Sequence, residues 1–181
     1  TSSERDLAAY QALPADLDPT PTLEQLRIDR DVWYSSLRDP SEFPVLATLL
    51  QYMERDLARI TDLTTAYYVG EEELLPPSLR FPEITVATDT PSYSYPPLPV
   101  TYALTAAELL ALQDPENANR YRALARDYAN ETTALGTHLQ SDILAAEVLV
   151  LEYLAAFAAT PVYAEWVAAL QAAETPLRGE G

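Results

Sequence analysis

The sequence contains no cysteine and no lysine, and it holds only one histidine, one methionine and four glycines among its 181 residues. Without cysteine, the chain has no disulfide, no thiolate metal site and no cysteine nucleophile in any compartment. All eleven basic residues are arginine, and 28 acidic residues bring the formal net charge to -17. Such a surface repels a nucleic acid backbone and an anionic membrane. We therefore expect no nucleic-acid partner.

The sequence also lacks a long hydrophobic run. The most apolar stretch, residues 143–159, is interrupted by Glu147 and Glu152. It is shorter than the roughly 20 residues that cross a bilayer, so we expect no membrane span.

The first 21 residues are polar, dotted with proline and without an apolar signal core. We interpret residues 1–21 as a leader or tether, with a short helix at residues 3–13. A tether of this kind favours an extracytoplasmic protein, either secreted or lipid-anchored. A cytoplasmic location is the alternative.

The longest interval without proline lies between Pro115 and Pro161. Asp114-Pro115 is a helix start signal, and Thr160-Pro161 is a stop signal. Apolar or small residues recur three or four positions apart between them: Tyr121, Ala125, Tyr128, Thr132, Leu135, Leu139, Ile143, Ala146, Val150, Tyr153 and Phe157. This spacing predicts one very long helix over residues 114–160.

Comparable patterns predict three more principal helices: residues 22–38, a helix that ends near Gly70, and a last helix over residues 161–175. Thr105 and Glu108, at capping-box spacing, predict a short additional helix before Asp114. The fold class is therefore mainly α, an antiparallel helical bundle in which residues 22–176 form a single domain and residues 177–181 a frayed tail. Its predicted shared core comprises Leu50, Leu57, Ile60, Leu135, Leu139, Ile143 and Val150.

Residues 70–104 differ in character, because seven of the fifteen prolines fall here and the helical period disappears. We predict an extended crossover with one short strand over residues 83–88. Its proline-interleaved aromatic and apolar side chains form a candidate interaction surface of Tyr93, Tyr95, Leu98 and Tyr102. The alternative is that they strap the crossover onto the protein's own core.

The residues capable of chemistry are too few to form a recognisable catalytic or metal site. His138 and Asp142 stand one helical turn apart, but a metal site needs further ligands and the chain has no second histidine. We interpret His138 as a partly exposed partner of Asp142. Ser141 completes the residue types of a hydrolase triad, yet three residues in one helical turn do not have triad geometry. Met53 and His138 as haem ligands have no other support, so we interpret Met53 as core.

The charged clusters have structural interpretations as well. Glu71, Glu72 and Glu73 offer the oxygen ligands that calcium prefers, but their spacing matches no calcium loop. Glu147 and Glu152 diverge around a helix, so we expect at least one to face solvent. The arginines near the start of the long helix, Arg120, Arg122 and Arg126, are interpreted as balancing an acidic surface.

These observations predict a non-enzymatic acidic helical module, either an interaction module or a structural protein, that binds another protein. We expect no catalytic residue, cofactor or metal, and we leave open a homo-oligomer. A ligand-binding or metal-binding bundle is one alternative. The other is an acidic nucleic-acid mimic, because a charge of -17 can imitate a phosphate array.

Overall fold

The computed structural model describes residues 2–12, 44–67, 77–81, 84, 95–113 and 115–173, and this part of the chain is mainly helical. The helices are α1 Ser2–Gln11, α2 Pro44–Tyr67, α3 Pro77–Arg80, α4 Leu98–Gln113, α5 Ala118–Ala134, α6 Gln140–Ala158 and α7 Pro161–Ala173, with a 3-10 turn at Pro115–Asn117 before α5. The described ranges contain no strand. The predicted helix over 22–38 and, except for Ile84, the predicted strand over 83–88 lie outside them.

Helix α4 makes the most extensive contacts with other helices in the described part of the chain. It contacts α5, which follows it along the chain, and also α6 and α2. Helix α7 packs on α2 and α6, and α1 packs on α6. Part of the predicted leader is therefore a helix that contacts the rest of the fold.

The buried apolar residues form two clusters, and α4 contributes to both. The first cluster joins α2, α4 and α7 through Leu49, Met53, Leu109, Leu110 and Leu170. Aromatic side chains pack around it, namely Tyr121, Tyr153, Phe157 and Trp166. The second cluster joins α4, α5 and α6 through Val100, Ala129, Ile143 and Ala146.

The predicted shared core is correct for burial at five of its seven positions: Leu57, Leu135, Leu139, Ile143 and Val150 are buried. Leu50 and Ile60 are only half-buried. Leu50 packs against the first cluster, whereas Ile143 belongs to the second. The stripe residues therefore do not all meet in one cluster.

The prediction of one very long helix is wrong, because the chain leaves the helix after α5 and re-enters it at α6. Gly136 has a φ of 68°, a left-handed conformation that glycine adopts without steric cost. Its N–H donates to the Thr133 carbonyl at 2.9 Å, and the Thr137 N–H donates to the Thr132 carbonyl at 3.1 Å. These two bonds form a Schellman motif, which ends helices without proline. The Thr137 hydroxyl reinforces it by donating to the same Thr132 carbonyl at 2.8 Å.

Two buried aspartates fix the point where α6 begins. Asp142 Oδ2 accepts a hydrogen bond from the Leu139 N–H at 2.8 Å. Asp6, on α1, accepts one from the Ser141 N–H at 2.9 Å and one from the Ser141 hydroxyl at 2.7 Å. Carboxylates at a helix N-terminus satisfy backbone donors that have no partner within the helix and also suit its dipole. The two bonds from Ser141 to Asp6 therefore attach α1 to α6.

The extended crossover predicted for residues 70–104 is wrong where α3 and α4 occur. Helix α4 begins at Leu98, and Pro99 stands in its first turn, where a missing N–H has no cost. The Thr101 N–H and hydroxyl both donate to the Pro97 carbonyl, at 2.9 and 3.0 Å. Thr105 is therefore inside the helix, where its hydroxyl donates to the Thr101 carbonyl at 2.8 Å, and it is not the predicted cap.

The predicted stop at Thr160-Pro161 is confirmed, since α6 ends and α7 begins there. The Thr160 hydroxyl donates to the Phe157 carbonyl at 2.7 Å and accepts a bond from the Tyr163 N–H at 3.3 Å.

In the described part of the chain no single helix is long and apolar enough to cross a membrane. By length and composition alone, α6 and residues 161–170 of α7 pass that test as a pair bent by 94°.

Candidate functional site

The outward face of α6 carries a stripe of large apolar side chains. Leu144, Val148 and Leu151 are 53, 59 and 65% exposed. Their spacing of four and three residues places them on one side of the helix. The residues that α6 buries are different ones, Ile143, Ala146 and Val150. Helix α6 is therefore apolar on its inner side and on its outer side, which a helix that only covers a core does not require.

A small surface cavity lies beside this stripe, between α4, α5 and α6. Its volume is about 140 Å³. Apolar side chains of Leu104, Ala107, Val150 and Leu151 make up part of its wall. The remaining lining residues are charged: Glu108, Arg122, Arg126 and Glu147.

One pair of these charges is fixed by geometry. Arg122 donates from Nε to Glu108 Oε1 and from Nη2 to Glu108 Oε2, both at 2.7 Å. This bidentate arrangement raises the pKa of the Arg122 guanidinium, through the hydrogen bonds to Glu108 and its negative charge. Such a fork gives the two side chains a defined orientation, which a single-point surface contact does not.

The other two charged residues of the cavity have opposite signs. Arg126 is exposed on α5, one turn after Arg122, and Glu147 is half-buried on α6. Neither makes an ion pair or a hydrogen bond with another described residue. The cavity therefore presents a cation and an anion whose hydrogen-bonding capacity is not used within the described part of the chain.

The candidate surface predicted from the crossover lies against the fold where it is described. Tyr95, Leu98 and Tyr102 are half-buried, and Tyr93 lies outside the described residues. The Tyr102 hydroxyl donates to the Glu54 carbonyl of α2 at 3.1 Å. Burial raises the pKa of Tyr102, and the nearby charges of Glu54 and Asp62 raise it further. The bond to Glu54 attaches Tyr102, which is part of α4, to α2.

The residues considered for a hydrolase triad have structural contacts instead. His138 is buried, with 7% of its surface exposed, so its predicted partial exposure is wrong. It lies in the turn before α6, not inside a helix. The Ser141 hydroxyl donates its hydrogen bond to Asp6. It therefore does not make the serine–histidine hydrogen bond of a triad.

The described residues considered for haem, metal or charged sites occupy the core or the surface of the fold. Met53 is core, as predicted, and Glu152 is exposed while Glu147 is half-buried. No group of three or more histidine, aspartate or glutamate side chains suited to a metal ion occurs within the described ranges. Glu71, Glu72 and Glu73 lie outside those ranges.

Another polar contact links α6 to α2. The Tyr153 hydroxyl donates to Asp56 Oδ2 at 3.1 Å. Burial is the main cause of a raised pKa for Tyr153, and the charge of Asp56 and its hydrogen bond add to it. The Tyr153 hydroxyl thus stays protonated in the fold at pH values where a free tyrosine ionises.

Sequence reasoning missed both the apolar stripe and the cavity. The signal for the stripe was present, because Leu144, Val148 and Leu151 have helical spacing of their own beside the buried residues. The cavity had no local signal, because Glu108 and Arg122 come from different helices and meet only when α4 packs on α5.

A scan against known protein-family models finds no match, and a search of curated proteins finds no similar sequence.

Proposed function

We propose that the chain is a non-enzymatic acidic helical module that binds another protein through the outer stripe of α6. The exposure of Leu144, Val148 and Leu151, each above half, is the observation that carries the proposal. Exposing three large apolar side chains on one face of a helix to water is unfavourable in free energy. A partner that covers them recovers roughly 25 cal/mol per Å² of apolar surface.

The partner we propose is an amphipathic helix with basic residues beside its apolar face. Anchors spaced four and three residues apart suit a second helix laid along α6. Glu152 is exposed one turn after Val148 and places a carboxylate next to the stripe. The formal charge of -17 favours a basic partner further, because it accelerates encounter and discourages acidic competitors.

The antiparallel bundle and the extracytoplasmic location are part of the same proposal. The packing of neighbouring helices around α4 supports a bundle as a rigid scaffold for α6. The sequence encoded upstream of Thr1 tests the location: a secretion signal or lipid-attachment motif there is the expected result, and a continuing polar domain would contradict it.

The test uses designed peptides as probes. A leucine–lysine amphipathic helix should bind the protein in titration calorimetry, and its leucine–glutamate counterpart should not. Leu144→Ser with Val148→Ser should weaken binding at least about tenfold, which is roughly 1.4 kcal/mol. The matched control is Leu112→Ser with Leu124→Ser, at exposed apolar positions on α4 and α5. Both double variants should keep their helical circular dichroism.

Two results would overturn the proposal. One is equal binding of the basic peptide by the stripe variant and by the control. The other is self-association of the wild-type chain in sedimentation that the stripe variant abolishes, because the stripe would then join two copies of this chain.

A further inference from the structure

The cavity between α4, α5 and α6 combines apolar walls with fixed and available charges. Leu104, Val150 and Leu151 supply the aliphatic surface. Its volume of about 140 Å³ is close to the roughly 150 Å³ of an engineered apolar cavity that accepts benzene. A ligand with a short aliphatic side chain therefore matches the space.

The charges of the cavity sum to zero. Glu108 and Arg122 neutralise each other in their bidentate pair, which leaves Nη1 of Arg122 outside that pair. Arg126 adds one positive charge, and Glu147 adds one negative charge. A ligand with a net charge would give the occupied cavity a net charge. A ligand that carries one charge of each sign keeps the total at zero.

We infer that this cavity binds a small zwitterion with an aliphatic side group, the chemical class of an aliphatic α-amino acid. The ligand's carboxylate pairs with Arg126, with Nη1 of Arg122 beside it, because guanidinium groups match carboxylates in shape and charge. The ligand's ammonium pairs with Glu147, and its aliphatic group lies on Leu104 and Val150. This site is distinct from the proposed protein-binding stripe and shares only Leu151 with it.

Three ligands of similar shape test the inference on the wild-type chain. L-leucine carries both charges, 4-methylpentanoate lacks the ammonium, and 3-methylbutylamine lacks the carboxylate. Methyl NMR should show leucine shifting the resonances of Leu104, Val150 and Leu151. Each truncated ligand should bind at least about tenfold more weakly, since 3-methylbutylamine has no carboxylate to pair with Arg126 and 4-methylpentanoate has no ammonium to pair with Glu147.

Charge-removing variants then assign each end of the ligand. Arg126→Gln should bring leucine down to the affinity of 3-methylbutylamine, and Glu147→Gln should bring it down to that of 4-methylpentanoate. The matched controls are Arg120→Gln and Glu152→Gln, which remove the same charges from exposed positions outside the cavity lining. Both controls should bind leucine like the wild type.

The inference fails if leucine leaves the three sets of methyl resonances unmoved. It also fails if either truncated ligand binds as tightly as leucine, because the paired charges would then have no role. Should the cavity variants fail to fold, the three-ligand comparison on the wild-type chain decides alone. Leu144→Ser with Val148→Ser should leave leucine binding unchanged, which separates this result from that of the proposed protein interaction.

Discussion

At the scale of single residues, the contact between Tyr153 and Asp56 makes the stability of the fold depend on pH in the alkaline range. A tyrosine in an unfolded chain ionises near pH 10. The fold favours the neutral hydroxyl of Tyr153, mainly because of burial and then because of the Asp56 carboxylate. The unfolded chain therefore binds fewer protons than the folded one above pH 10. By proton linkage, the stability that this group contributes is present below that pH and is lost as the pH rises through the folded-state pKa.

We predict that Tyr153→Phe makes the alkaline loss of stability shallower, because phenylalanine has no proton to release. Urea unfolding of both proteins at a series of pH values from neutral to alkaline measures this slope. Tyr52→Phe is the control, since Tyr52 is 54% exposed. Parallel slopes for Tyr153→Phe and wild type would show that the hydroxyl does not couple folding to pH.

At the scale of helices, Gly136 decides where α5 ends. The sequence stripe continues across this position, and Leu135 and Leu139 are both buried as the stripe predicts. The stripe does not determine the path of the backbone, because a turn can bury the same residues as a continuous helix. The overlooked signal was the glycine, which permits the left-handed conformation that ends a helix.

We predict that Gly136→Ala lowers the free energy of unfolding by about 1 kcal/mol or more, because a Cβ atom is strained at positive φ. Asn130→Ala introduces the same side chain at an exposed position of the same helix and should leave stability equal or slightly higher. Chemical denaturation of the two variants measures the difference. An unchanged stability for Gly136→Ala would mean that the turn adopts another conformation.

At the scale of the whole molecule, helical content was largely predictable and the proposed binding surface was not. Periodicity predicted α2, α7 and the helical residues of α5 and α6, although it joined the last two into one helix. It found only the second half of α4, since the prolines before Val100 suggested extended chain although prolines in a first turn are compatible with a helix. The cavity depends on which helices become neighbours, and no local pattern carries that information.

Burial within this whole-molecule packing predicts a large contrast between two leucines. Leu139→Ala should lower the free energy of unfolding by roughly 2 to 5 kcal/mol, because it empties a buried site. Leu144→Ala, on the exposed stripe of α6, should cost far less. Denaturant unfolding at a concentration where the chain is monomeric compares them. Similar small costs for both would mean that Leu139 also faces solvent.

The break at Gly136 also sets how far α5 and α6 extend along α4. A continuous helix over residues 114–160 would be a rod about 70 Å long, whereas α4, with 16 residues, reaches only about 24 Å. More than half of such a rod would extend past α4. Divided, α5 with 17 residues and α6 with 19 measure about 26 and 29 Å, close to the length of α4. One glycine thus converts a length that α4 could not cover into two lengths that it can.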